Sequence, residues 1–129
     1  MRAADGNGNS AGRKLVLIVD DHPPTREALS SLLDWKGYHV LQAGNGLEAL
    51  ELIDAVAEPP CMVVLDLVMP VMDGREFLKA RAQHRTLSRI PVVVLSADAR
   101  DGEVMEGVEA CLRKPTSPDS LLRLLSRSC

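Results

Sequence analysis

Five stretches of the chain are mostly apolar runs, three of them rich in β-branched residues, and between them apolar positions recur at helical spacing. The runs are Lys14 to Val19, Tyr38 to Ala43, Met62 to Leu65, Ile90 to Leu95 and Ala110 to Arg113. Apolar runs without alternation predict strands covered on both faces, as in a parallel sheet. Tyr38-His-Val-Leu-Gln-Ala43 is the most polar of the five, which places it near an edge. Ala28, Leu29, Leu32 and Leu33 predict a helix from about Pro24 to Lys36, opened by His22-Pro23-Pro24 and closed by Gly37 at the C′ position. Leu47, Leu50, Ile53 and Val56 mark a second helix between the Asn45-Gly46 turn and Glu58-Pro59-Pro60. A third runs from Gly74 to about Gln83 with Phe77 and Leu78 inward, a weaker one spans Arg100 to Met105, and Leu121, Leu122 and Leu125 line a last. Strands alternating with helices predict an α/β domain, its parallel sheet covered on both faces by right-handed crossovers. That domain is expected over residues 14–127. Met1 to Arg13, with three Gly, two Asn and a Ser, is expected to be a disordered tail.

The strands share a chemical habit at their carboxyl ends. Four of the runs stop at Asp20-Asp21, Asp66, Ser96 and Lys114. The carboxyl ends of parallel strands line the crevice in which open α/β sheets hold their ligands. The fold therefore gathers three carboxylates, a hydroxyl and an ammonium in one place. Three converging carboxylates repel one another unless a cation joins them, and oxygen ligands with room for water suit Mg²⁺. Lys114 and the metal together could hold the oxygens of an incoming phosphoryl group, and Ser96 could hydrogen-bond another. Asp66, on the central strand, is then the candidate nucleophile, forming an aspartyl phosphate.

Composition narrows the classes. The chain has 129 residues, 46% hydrophobic and 26% charged, enough for one core. Net charge is −3 with acids and bases interspersed, so nothing suggests direct nucleic-acid binding. No apolar run approaches the roughly 20 residues needed to cross a bilayer. Cys61, Cys111 and Cys129 are odd in number and form no CxxC pair. They predict a reducing, cytoplasmic setting without disulfides or structural zinc, Cys111 being a small core residue and Cys129 a free thiol.

In this order, Val19-Asp20-Asp21, Leu65-Asp66 with Met69-Pro70 and Asp73-Gly74, Leu95-Ser96-Ala97 and Lys114-Pro115 resemble the receiver domain of two-component response regulators. The resemblance covers about Lys14 to Arg127. It implies the flavodoxin-like doubly wound fold with five strands in the order 2-1-3-4-5, for which this family is a standard illustration. It implies that Asp66 takes a phosphoryl group from a histidine kinase or a histidine phosphotransfer domain. Asp21 and Asp66 would bind Mg²⁺ (or Mn²⁺) directly, Asp20 largely through water, and the Val68 carbonyl would complete the ligands. Ser96 and Lys114 would contact the phosphoryl group, with the backbone at Val68 and Ala97 beside it. The signal would leave through the fourth helix, the fifth strand and the last helix, where surplus leucines would also suit a homodimer or an output partner. The chain departs from the family pattern at Cys111, where an aromatic switch residue is usual, and in a short, helix-poor span after Ser96.

Each of these residues also has a plainer reading. A lone strand-end Asp often caps a helix, a lone Lys is usually solvated, and His22, His39 and His84 read as ordinary surface positions. Met69 and Met72 read as adaptable packing. A phosphatase of the haloacid dehalogenase type would need an acid two residues past the nucleophile, where this chain has Val68. A receiver working without phosphorylation is the binding-module alternative. The chemistry of the chain is that of a signalling phosphoacceptor rather than of an enzyme acting on other molecules.

Overall fold

A computed structural model describes residues 14–97, 107–114 and 117–129. The chain alternates β1 (Leu15–Val19), α1 (Pro23–Trp35), β2 (His39–Ala43), α2 (Gly46–Ala55), β3 (Met62–Leu65) and α3 (Gly74–Gln83). A 3-10 turn (Leu87–Arg89) leads to β4 (Val92–Ser96), then β5 (Ala110–Arg113) and α4 (Pro118–Ser128). The five strands form one parallel sheet in the order β2-β1-β3-β4-β5, which is the flavodoxin-like arrangement. β3 is central, with both neighbours in register, and all four of its residues are buried. β2 takes the edge, as its polar residues require, with His39 and Gln42 exposed.

Alternation along each strand divides the core in two. Leu17, Val19, Val63, Leu65, Val92, Val94 and Cys111 face one way and pack against Ala49 and Ile53 of α2 and Phe77 of α3. Val16, Ile18, Met62, Val64, Val93 and Leu95 face the other way, against Leu33 of α1 and Leu121 and Leu125 of α4. Period-two strands between helices on both sides explain why these runs are apolar throughout. The extra leucines of α4, Leu122 and Leu124, are half-buried against this second cluster.

Several boundaries and local roles differ from expectation. β4 pairs only from Val92, because Pro91 has no N–H for the ladder and contributes its carbonyl to Val63 N instead. α1 begins at Pro23, with His22 as its N-cap accepting from Thr25 N. His84 is no simple surface residue: it is the C-cap of α3, and its Nδ1 accepts from Thr86 N and Leu87 N at 3.1 Å each. Its Nε2 lies 3.0 Å from Asp54 Oδ1, joining the ends of α2 and α3. Gly37 follows α1 with φ of 99°, the left-handed conformation its sequence position predicts.

The main correction concerns the cysteines. Cys61 and Cys129, expected to be free, form a disulfide with their Cα atoms 5.5 Å apart; Cys111, buried, stays outside it. Sequence gave no sign of the pairing because 68 positions separate the two residues. The fold brings the start of β3 and the end of α4 together at the amino-terminal edge of the sheet, within ordinary disulfide reach. The expected tail over Met1 to Arg13 and the expected helix over Arg100 to Met105 lie outside the described residues.

Candidate functional site

Asp20, Asp21 and Asp66 follow β1 and β3, neighbouring strands whose last residues, Val19 and Leu65, are in register. Register therefore places the acids side by side, and Asp66 N donates to Val19 O at 2.9 Å. One carboxylate oxygen from each acid lies within 4.8 Å of the others. Asp20 and Asp66 are buried, at 5% and 8% exposure, while Asp21 is exposed to solvent. Such a set of hard oxygen donors, one side open to water, fits a divalent cation.

Lys114 leaves the end of β5 and reaches across the sheet's carboxyl edge. Its Nζ is 2.7 Å from Asp20 Oδ2 and 3.7 Å from Asp66 Oδ2. Its backbone N–H donates to Ser96 O at 3.1 Å, fixing where the side chain starts. Ser96, the last residue of β4, is fully buried and its side chain hydrogen-bonds Asp66. The Asp66 carboxyl is held above the ordinary carboxylate range. Burial is the main cause; Lys114 opposes it, Asp20 adds repulsion, and bonds from Ser96 and the Val68 N–H pull the other way. The Val68 N–H is 3.4 Å from Asp66 Oδ1, a long contact, and the Val68 side chain is exposed. Ala97 lies exposed in the turn after β4.

Three supports were not foreseen from sequence. The backbone N–H of His22 donates to Asp20 Oδ1 at 2.9 Å, so the Pro-Pro turn that starts α1 also fixes the acid. Arg26 on α1 donates to the Asp20 carbonyl at 2.8 Å and to Gln42 Oε1 at 3.1 Å, tying the ends of β1 and β2 to the helix. Gly74 packs where a Cβ would stand 2.5 Å from Asp66 O and 2.6 Å from Leu67 Cα, and its N–H bonds Leu67 O. Only glycine lets α3 start against the loop that carries Asp66. Between them Val71 takes φ of 70°, strained for a β-branched residue, in a loop held by Met72 N to Pro70 O and Gly46 N to Met72 O. Met69 is buried and Met72 half-buried against the first cluster, which is the packing role expected of them.

Cys111 is not brought to the site. It sits 2% exposed in the first core cluster, two residues before Arg113, the register partner of Ser96.

Comparison with known proteins agrees with this arrangement. The sequence model of the response regulator receiver domain matches residues 16–126. The transcriptional regulatory protein CpxR homolog of Haemophilus influenzae is 38% identical over 111 residues, covering 83% of this chain but only 46% of that longer protein. Among solved structures, the chemotaxis protein CheY4 of Vibrio cholerae is 30% identical with a TM-score of 0.77, covering 92% of this chain and 100% of that one. A chain of the CheX-CheY-BeF3-Mg²⁺ complex from Borrelia burgdorferi is 25% identical with a TM-score of 0.80, covering 91% and 90%. The chain belongs to the response regulator receiver domain family, the receiving half of two-component signalling. No described helix is long and apolar enough to cross a membrane.

Proposed function

We propose that Asp66 is the phosphoacceptor of this receiver and that Asp20, Asp21, Asp66 and the Val68 carbonyl hold a Mg²⁺ ion, for which Mn²⁺ can substitute. The observation that carries this reading is the convergence of three carboxylates and Lys114 on one crevice at the strand ends. A bound Mg²⁺ supplies positive charge against both the acid cluster and the phosphoryl oxygens. The Mg²⁺ and BeF3 named for the Borrelia complex support the same choice of ion and ligand.

The chain's own residues do the rest. An oxygen of Asp66 forms a bond to phosphorus as the P–N bond of a phosphohistidine donor breaks, and the electron pair leaves on the ring nitrogen. Lys114, already between Asp20 and Asp66, turns its ammonium to the phosphoryl oxygens, and the Ser96 hydroxyl moves from Asp66 to another of them. The backbone at Val68 and Ala97 borders the group. Val68 has no proton to give or take, so no general acid stands where a haloacid dehalogenase phosphatase needs one.

The donor is a histidine kinase or a histidine phosphotransfer domain, and the setting is the cytoplasm. The chain changes only its own Asp66 and signals to an output partner through the face of β5 and α4. A homodimer there would use the exposed parts of Leu122 and Leu124, which are half-buried against the second cluster. A phosphorylation-independent receiver is the second reading, favoured by Cys111 in place of an aromatic switch.

The test is intact mass after incubation with acetyl phosphate and Mg²⁺. The wild type gains one phosphoryl group, whereas Asp66→Asn and EDTA-treated protein gain none. An unchanged wild-type mass, beside a control receiver that is labelled, would refute phosphoacceptance and leave the second reading.

A further inference from the structure

Beyond Leu125 the end of α4 has few apolar contacts besides Cys129 itself. Leu121 and Leu125 are buried in the second core cluster, but Ser126, Arg127 and Ser128 after them are exposed. The last turn is held by Cys129, through its N–H to Leu125 O at 2.7 Å and its disulfide to Cys61. Cys61 is fixed in turn by its N–H to Leu15 O at 2.7 Å, at the foot of the strand that carries Asp66. Both disulfide residues are half-buried, whereas the third cysteine, Cys111, is enclosed at 2% exposure. The exchangeable sulfurs are thus set apart from the protected one. We propose that Cys61 and Cys129 are a redox-active pair, a latch on α4 that cytoplasmic thiols open and disulfides close.

The exchange balances without a metal. A thiolate of a low-molecular-weight or protein thiol attacks one sulfur of the pair, and the S–S bond breaks to give a mixed disulfide and one free cysteine. A second reductant thiolate attacks the mixed disulfide and departs as the reductant's own disulfide. Two electrons and two protons pass from two reductant thiols to Cys61 and Cys129. Opening removes the only covalent cross-link to the last turn among the described residues, and the turn frays. At its other end α4 walls a cleft of about 730 Å³ with α1, through Pro118 and Leu121 facing Ala28 and Leu29, with Lys114 at its rim. The latch acts on the end of α4 away from this cleft, and its bearing on signalling rests on the receiver reading above. It does not act on Asp66, which lies at the far end of β3.

The test uses the full chain equilibrated with oxidised or reduced glutathione, then denatured and alkylated. Oxidised protein exposes one alkylatable thiol and yields a linked Cys61–Cys129 peptide; reduced protein exposes three. Hydrogen exchange at amides from Leu124 to Cys129 quickens at least tenfold on reduction, while Met62 to Leu65 keep their protection. The melting temperature falls on the order of 10 °C as the long loop is released. Cys129→Ser and Cys61→Ser show the reduced pattern with or without oxidant. Three free thiols under oxidised glutathione, a bond to Cys111, or equal exchange in both states would overturn the latch. Labelling by acetyl phosphate is the same in both states. If labelling fails in both while thiol count and exchange still differ, the receiver reading is at fault and the latch stands.

Discussion

At the scale of single residues the site sets stability against function. Asp66 sits buried beside Asp20, and its carboxyl is raised above the ordinary value of 3.8, first by desolvation. Between that value and the raised one, the folded chain holds a proton that the unfolded chain has lost. Stability of the metal-free protein therefore falls as pH rises through this window and stays low above it. Asp66→Asn removes the ionisable group and with it this loss. In EDTA the variant should match the wild type below the window and exceed it increasingly as pH rises through it, the difference levelling off above the raised value. Urea midpoints of both proteins measured across that range check this. A difference that is flat with pH, or a variant less stable at pH 7, would mean that Lys114 and Ser96 outweigh burial. The same carboxylate is thereby ready for a cation, whose binding replaces the lost solvation.

At the scale of elements, what matters is how helices are seated against strand ends. α3 is opened by a capping box, Asp73 Oδ1 accepting from Glu76 N at 2.9 Å and Asp73 N donating to Glu76 Oε1 at 3.1 Å. Its first residue, Gly74, touches the backbone of Asp66 and Leu67 too closely for any side chain. Gly74→Ala must push α3 or the Asp66 loop aside, at a cost of about 1–3 kcal/mol typical of overpacking. Because the loop moves with Asp66, Mg²⁺ affinity should also drop at least tenfold, which titration calorimetry would measure. Lost stability with unchanged affinity would show that the helix gives way and the loop does not. The strands and the acids at their ends were legible in the sequence because strands buried on both faces need runs of apolar residues, and a run that stops at an acid marks its own end. Asn45 and Gly37 were legible as turn or cap residues for local reasons; the capping role of Asp73 was not read. Arg26 on the Asp20 carbonyl and the His22 N–H on the Asp20 side chain were not, since a backbone partner leaves no trace in side-chain pattern. His84 was misread because capping two N–H groups by a ring nitrogen looks, in sequence, like any exposed histidine.

At the scale of the whole molecule, β3 is a rod with chemistry at one end and a covalent bond at the other. Five residues of extended chain from Cys61 to Asp66 span roughly 16 Å. Mg²⁺ at 100 times its dissociation constant should stabilise the fold by about 2.7 kcal/mol. Closing a loop of 68 residues by the disulfide adds about 4 kcal/mol in the chain-entropy account. These two effects work on different states: the metal binds the folded site, while the disulfide restricts the unfolded chain. Sites this far apart with no shared partner add to within about 0.5 kcal/mol. Urea unfolding of oxidised and reduced protein, each with Mg²⁺ and with EDTA, closes a four-cornered cycle whose coupling term should be zero within that margin. A coupling above about 1 kcal/mol would mean that the latch at the foot of β3 is felt at Asp66. The central strand would then carry signal between the two ends, and the last turn of α4 would not be the only element that the thiol state controls.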